Sequence, residues 1–219
     1  MEKEKLIIIG AGGHARSCTD ILLQNGEYDI AGCVDRSYSI SDPAFMNIGD
    51  CRIPVIGNDD MLEELFFEKG FRRVFVALGN NKIRKKLYDI VTGIGFSPVN
   101  IVSKRAVISP SARLGSGICV MAGAVINVNT VIGNDCIINT NCSLDHDCIV
   151  GDHCHIAPGT AVSGTVHIGD TVQLGTGTSV IDGLTIGSGS FIGAGSAVVK
   201  NIPENVLAYG VPARIIRNI

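Results

Sequence analysis

The sequence predicts a small Rossmann-like α/β domain over residues 1–99 followed by a parallel β-helix over residues 100–219. Two observations carry that expectation. Sixteen aliphatic residues stand at unbroken six-residue intervals: Ile108, Leu114, Val120, Ile126, Ile132, Ile138, Leu144, Val150, Ile156, Val162, Ile168, Leu174, Val180, Ile186, Ile192 and Val198. A helix, with period about 3.6, and a strand, with period about 2, do not generate that spacing, whereas hexapeptide repeats do, each forming one flat face of a coil. The residues before them alternate short apolar runs with helix-patterned stretches, the order of a small parallel α/β sheet.

In the first unit, Lys5–Ile9 is a compact apolar strand that runs into Gly10-Ala11-Gly12-Gly13-His14-Ala15. The helix after it presents Ala15, Cys18, Ile21 and Leu22 at helical spacing. Asp29–Val34 is a second strand ending at Asp35, and residues 36–50 read as a loop rich in Ser, Asp, Pro and Gly. A short strand over residues 53–56 precedes a helix over 59–69. Residues 73–78 form the next strand, leading into Gly79-Asn80-Asn81, and residues 83–92 form a helix. Ligands of such a sheet sit at the carboxyl ends of its strands.

In the second unit, the position two before each column aliphatic is mostly small: Ala112, Ala124, Thr130, Cys136, Cys142, Cys148, Cys154, Thr160, Thr178, Ser190 and Ser196. Large and small side chains can then stack in separate columns inside a narrow prism. Three hexads close one coil of about eighteen residues. The pattern stops at Lys200-Asn201-Ile202-Pro203, and residues 209–216 read as a segment closing the open edge of the last coil.

Net charge is −3 and the pI about 5.9, so electrostatics give no case for nucleic acid or an anionic membrane. Only four aliphatic residues, Leu6 to Ile9, stand together near the N-terminus, too few for a signal peptide or a membrane span, and a cytoplasmic location is expected. Of the eight cysteines, Cys136, Cys142, Cys148 and Cys154 fall in the small-residue column, where they read as buried apolar side chains in a reducing compartment. With no C-x-x-C pair, a structural zinc has no support.

Gly10-x-Gly12-x-x-Ala15 satisfies the G-x-G-x-x-G/A fingerprint, and Asp35 at the end of the next strand is placed for a ribose hydroxyl. The backbone N–H groups of such a turn approach a diphosphate, and NAD and a nucleotide sugar look alike to it. A tight turn without ligand is the plain alternative, and nothing further along supports hydride transfer. His14 is either a polar neighbour of a phosphate or an idle helix-start residue.

His146, His153, His155 and His167 all lie inside the repeats. His153 and His167 read as polar corner residues facing water. His146 differs, because Asp145 and Asp147 flank it: a carboxylate partner raises an imidazole's basicity and fixes its tautomer, as a general base requires. By spacing alone a catalytic base and an exposed polar residue stay equally open, and a zinc site shared between coils remains a further reading.

Taken together, Ile9-Gly10-Ala11-Gly12-Gly13-His14-Ala15, Ala77-Leu78-Gly79-Asn80-Asn81-Lys82-Ile83-Arg84, Asn139-Thr140, Asp145-His146-Asp147-Cys148-Ile149-Val150-Gly151, His155 and Gly210-Val211-Pro212-Ala213 resemble a known family. It is the bacterial sugar O-acyltransferases of the sialic-acid O-acetyltransferase type, and within it the nucleotide-amino-sugar N-acetyltransferases of the bacillosamine and perosamine pathways. The resemblance implies a left-handed β-helix, a homotrimer, and acetyl-CoA in grooves between neighbouring prisms. It implies His146 as general base and Asp147 as the carboxylate raising its basicity. His155, Asn139, Gly164, Thr176 and Ala194 would contact the cofactor, His155 at the thioester. Gly12, Gly13, His14, Asp35, Arg36 and Gly79 would hold a nucleotide sugar. No metal is implied. The segment between Arg36 and Arg72 matches least. The activity implied is N-acetylation of a UDP- or dTDP-linked 4-amino-4,6-dideoxy sugar; sialic-acid O-acetylation and a non-catalytic nucleotide-sugar-binding trimer are the alternatives.

Overall fold

The structure, a computed structural model, describes residues 3–41 and 44–219. Asp42 and Pro43, within the segment expected to be a loop, lie outside the described residues. The chain divides into Met1–Ile101 and Val102–Ile219.

In the first unit, β1 (Lys5–Ile9), β2 (Asp29–Val34), β3 (Phe45–Ile48), β4 (Cys51–Gly57), β5 (Arg73–Val76) and β6 (Ser97–Pro98) form one sheet in the order β3-β4-β2-β1-β5-β6. Every pairing is parallel except β3 with β4. Leu6, Ile7, Ile8 and Ile9 are all buried, because a central parallel strand is covered on both faces and needs no apolar–polar alternation. The helix α1 (Gly13–Asn25) buries Ala15, Cys18, Thr19, Ile21 and Leu22. After a 3-10 turn at Asp59–Met61 come α2 (Leu62–Phe67) and α3 (Asn81–Ile94). Asn80 caps α3, its Oδ1 accepting from the Ile83 N–H at 3.1 Å.

One expectation is corrected: residues 36–50 are not all loop, since β3 lies among them and forms a hairpin with β4. β3 buries only Met46 fully, and an edge strand that short leaves no periodic signature. The chain runs from β1 out to β2 and β4, then returns to β5 on β1's other side. The crevice of this sheet therefore opens at the carboxyl ends of β1, β2 and β5.

The second unit is a left-handed parallel β-helix. Two-residue strands recur every six residues from Ile101–Val102 to Ala197–Val198, and every third strand joins the same sheet. The first face carries Ile137–Ile138 and His155–Ile156, the second Ser143–Leu144 and Ala161–Val162, the third Ile149–Val150 and His167–Ile168. The aliphatic column from Val120 to Val198 is buried.

The small column is buried too from Ala124 to Ser196, and its chemistry is more specific than size. Thr130 Oγ1 donates to the Asp145 carbonyl at 2.7 Å, Cys136 Sγ to Gly151 at 3.1 Å, Cys148 Sγ to Ser163 at 3.2 Å and Cys154 Sγ to Gly169 at 3.0 Å. Each side chain satisfies a carbonyl of the next turn that alanine would leave to itself.

Two further corrections concern the coils. The repeat does not stop at Lys200-Asn201-Ile202-Pro203 but shortens by two residues: Ile186 bridges Ile202, and Ile192 pairs with Ala208, each sixteen positions on. Ile202, Val206 and Ala208 thereby continue the core. Ala213–Asn218 then folds back antiparallel on Val206–Gly210, covering the edge. His153 is not water-facing. It is 7% exposed, its Nδ1 lies 2.9 Å from Asp135 Oδ2, and Asp135 is 1% exposed. Both residues occupy the same corner of successive coils with positive φ, so their side chains meet along the prism axis. His167 is exposed, but on a flat strand rather than at a corner.

Candidate active site

The first unit gathers six expected residues at one sheet end: Gly12, Gly13 and His14 where α1 begins, Asp35 and Arg36 beyond β2, and Gly79 beyond β5. Asp35 braces the turn, its Oδ2 accepting from the Ala11 N–H at 3.0 Å and its Oδ1 from the Ser37 N–H at 2.9 Å. Burial pushes this carboxyl up, but the Ser37 and Ala11 donors together hold it below the ordinary carboxylate value. Gly10 has φ 106° and needs to be glycine for its backbone. Gly12 and Gly79 do not: neither has positive φ, and a Cβ on either meets no protein atom within 4 Å. They leave bare backbone around open space, the arrangement a diphosphate needs at a helix start.

His14 is held neutral. Burial, then the nearby Arg84 guanidinium, pull its pKa down to about 4, and its Nε2 faces Cys18 Sγ at 3.5 Å. The ring is therefore a neutral hydrogen-bonding group rather than a cation. Arg84, part of the motif over residues 77–84 but given no role there, adjoins this group. It is 1% exposed, and its Nη1 donates to the Leu78 carbonyl at 3.1 Å, bracing the turn that presents Gly79. Its signal was helical spacing: Arg84 shares the inner face of α3 with Leu87, Tyr88 and Val91.

In the second unit, His146 stands at the corner between the second and third faces. Its Nδ1 lies 2.9 Å from Asp147 Oδ2, which places the ring proton on Nδ1 and leaves the Nε2 lone pair for chemistry. The side chain is 50% exposed. The hydrogen bond to Asp147 raises the imidazole above its usual value, and the Asp145 charge adds to that. Asp147 is lowered, first by an Asn129 hydrogen bond and then by His146 itself. One coil on, Gly164 lies against the ring: a Cβ there would come within 2.4 Å of Cε1 and 2.5 Å of Nε2. Gly164, expected among the cofactor contacts, thus lies directly over the His146 ring.

Asn139 and His155 come together on the first face, Asn139 Nδ2 lying 3.0 Å from His155 Nε2. Asn139 Oδ1 accepts from the Thr140 N–H at 2.8 Å, so its amide nitrogen faces the ring and His155 Nε2 acts as acceptor. Thr176 and Ala194 are exposed and stack at the corner between the first and second faces, the Gly195 N–H donating to the Thr176 carbonyl at 2.8 Å. Between that corner and His146, the second face carries a shallow pocket of about 240 Å³ lined by Val125, Asn127, Ser143, Asp145, Ala161 and Ser163. His146 and His155 of one chain do not meet, because a corner between two faces lies opposite the third face. Among the described residues no group of three or more His, Cys, Asp or Glu is arranged for a metal ion, and no helix is long and apolar enough to cross a membrane. Cys148 is unsuited to nucleophilic attack, since burial raises its thiol and its Sγ is turned to the Ser163 carbonyl.

Residues 5–91 match the family described as the PglD N-terminal domain, and residues 129–164 match the bacterial transferase hexapeptide family of six repeats. A histidine-to-asparagine variant of perosamine N-acetyltransferase from Caulobacter crescentus, crystallised with CoA and GDP-perosamine, is 42% identical with TM-score 0.90, covering 98% of this chain and 97% of that one. The chain belongs to the hexapeptide-repeat sugar acetyltransferases. The acetyltransferase domain of PglB from Neisseria gonorrhoeae, solved in one form with acetyl coenzyme A, is 33% identical with TM-score 0.88, covering 98% of this chain and 100% of that one. An uncharacterized protein of Acanthamoeba polyphaga mimivirus is 34% identical over 127 residues, which span 58% of this acetyltransferase and only 23% of the viral protein.

Proposed function

We propose that this acetyltransferase moves the acetyl group of acetyl-CoA to the amine of a nucleotide-linked 4-amino-4,6-dideoxy sugar. The observation that carries the reading is His146, its Nδ1 tied to Asp147 at 2.9 Å and its Nε2, without a hydrogen-bond partner among the described residues, beside the bare backbone of Gly164. The neutral amine attacks the thioester carbonyl, Nε2 takes the amine proton as the N–C bond forms, and collapse breaks the C–S bond and expels the CoA thiolate, which takes that proton from the imidazolium and leaves as the thiol. Positioned general-base catalysis of this kind contributes roughly 10²–10⁴-fold. The Asn139 amide, oriented by His155, supplies a donor for the developing oxyanion.

Because His146 and His155 lie on opposite sides of one prism, their joint action in this mechanism requires a second copy, and a homotrimer provides the seam. In the first unit, the bare backbone at Gly12 and Gly79 and the neutral His14 receive the nucleotide sugar. Likeness to a protein crystallised with GDP-perosamine supports a GDP-linked acceptor ahead of the UDP or dTDP that the sequence reading named.

The test is thiol release from acetyl-CoA with a panel of GDP-, UDP- and dTDP-linked amino sugars and free sialic acid. Turnover with an amino sugar, abolished in His146→Ala, is expected. Turnover with sialic acid alone would overturn the amine acceptor, and full kcat in His146→Ala would overturn the mechanism. Light scattering of the intact protein in solution tests the trimer.

A further inference from the structure

Asp145-His146-Asp147 rests on another triplet, Asn127-Val128-Asn129, eighteen residues earlier and stacked directly beneath it in the preceding coil. Asn127 Nδ2 donates to Asp145 Oδ1 at 2.9 Å, and Asn129 Nδ2 donates to Asp147 Oδ1 at 3.0 Å. Each carboxylate flanking the base is thus held by an asparagine amide at the same corner. Asp145 Oδ1 in turn accepts from the His146 N–H at 2.8 Å, so both contacts converge on the backbone and ring of one residue.

We infer that Asn127 and Asn129 are positioning residues for the general base, Asn129 by fixing the Asp147 carboxylate so that one oxygen is directed at the imidazole. The inference rests on the reading of His146 as the base. An exposed carboxylate rotates over a broad range about its terminal bond. Asn129 removes that freedom: once Oδ1 is engaged, Oδ2 is left at His146 Nδ1, 2.9 Å away. The ring proton is then kept on Nδ1, and the lone pair that must accept the amine proton stays on Nε2.

The fold does not itself demand asparagine at this place. Position 129 has φ 59°, but equivalent corners with positive φ are filled by Asp135, Asn141, His153, Thr165, Thr171 and several glycines. The backbone requirement is met by any of these. What asparagine adds is the amide donor, at the coil beneath the carboxylate. Asn129 is itself anchored, its N–H donating to Ser111 Oγ at 3.0 Å, so the support extends through three successive coils to the base.

The experiment compares Asn129→Gly with Thr171→Gly, which makes the same backbone change at another corner, and with His146→Ala. Glycine keeps the positive φ and removes the side chain that carries the amide; the backbone freedom it adds is what Thr171→Gly controls for. In Asn129→Gly, kcat is expected to fall at least about tenfold, with KM for acetyl-CoA and for the amino sugar within about twofold. In the same variant, ¹⁵N spectra of the His146 ring are expected to move from the Nδ1–H tautomer toward Nε2–H. Thr171→Gly should change neither. An inactive His146→Ala beside an Asn129→Gly of unchanged kcat and tautomer overturns the positioning role while leaving the base intact. So does an Asn129→Gly whose loss is matched by Thr171→Gly, which marks a loosened coil. Full activity in His146→Ala instead overturns the base itself.

Discussion

Gly164→Ala isolates the contribution of the bare backbone over His146. The new Cβ would stand 2.4 Å from Cε1, 2.5 Å from Nε2 and 3.0 Å from Nδ1. Ordinary carbon contacts begin at about 3.5 Å, so the ring must retreat by about 1 Å. That retreat takes Nδ1 from its 2.9 Å contact with Asp147 toward the limit of hydrogen bonding, about 3.2 Å, and carries Nε2 out of line with the amine. A misplacement of about 1 Å costs on the order of 10²-fold in rate. Thiol release at saturating substrates should therefore show kcat lowered about 10²-fold, with KM values little changed. The melting temperature should hold, because Gly164 has no positive φ and the half-exposed imidazole can swing into solvent. In a His146→Ala background the same substitution should add nothing, since groups acting as one unit are not additive. Wild-type kcat in Gly164→Ala, or a further drop in the His146→Ala background, would refute the reasoning.

Because Asp147 raises the His146 pKa and only the neutral ring is a base, kcat/KM should climb with pH through a midpoint above 6.5 and then level. Asp147→Asn should move that midpoint down, and an unmoved midpoint across a pH-rate series counts against the dyad; the sugar amine titrates equally in both proteins. Gly79→Ala fills space that no protein atom occupies, so calorimetry should find the fold intact while KM for the nucleotide sugar rises; an unchanged KM places the ligand elsewhere. Iodoacetamide should label half-buried Cys51 and spare buried Cys136, Cys142, Cys148 and Cys154, with Cys142 pushed up to about 12 by burial, and activity should survive; inactivation that tracks labelling of Cys148 would revive an acyl-cysteine route. Gly151→Ala puts a Cβ 2.8 Å from the Asp170 nitrogen and 2.9 Å from the Gly169 carbonyl carbon, backbone atoms of the next coil, and should destabilise the protein by about 1–3 kcal/mol in denaturant melts.

The prism was legible because every coil repeats one steric demand, and sixteen repetitions of an aliphatic residue cannot be mistaken for another period. β3 was not legible, since four residues with one fully buried side chain carry too little pattern. The two-residue contraction after Val198 escaped for a related reason: Ile202 and Ala208 belong to the column but stand out of phase with it. His153 misled because corner positions are usually wet, and only the coil beneath shows that Asp135 waits there. The donors Thr130, Cys136, Cys148 and Cys154 were recognised as small, but a hydrogen bond fifteen residues along the chain is invisible until the coil closes.

The sequence alone determined the period, the two units, the glycine turn and the one histidine with carboxylates on both sides, because each is a local pattern of residue types. Tertiary structure decided what those residues touch. Only the stacking of coils puts Asn129 under Asp147 and Gly164 over His146, and only closure of the prism sets His155 on the face opposite the His146 corner. In the first unit, burial of His14, and then the Arg84 guanidinium that α3 brings near it, keep that ring neutral. Contacts of this kind depend on distance in space, which a chain acquires when separated segments are brought side by side.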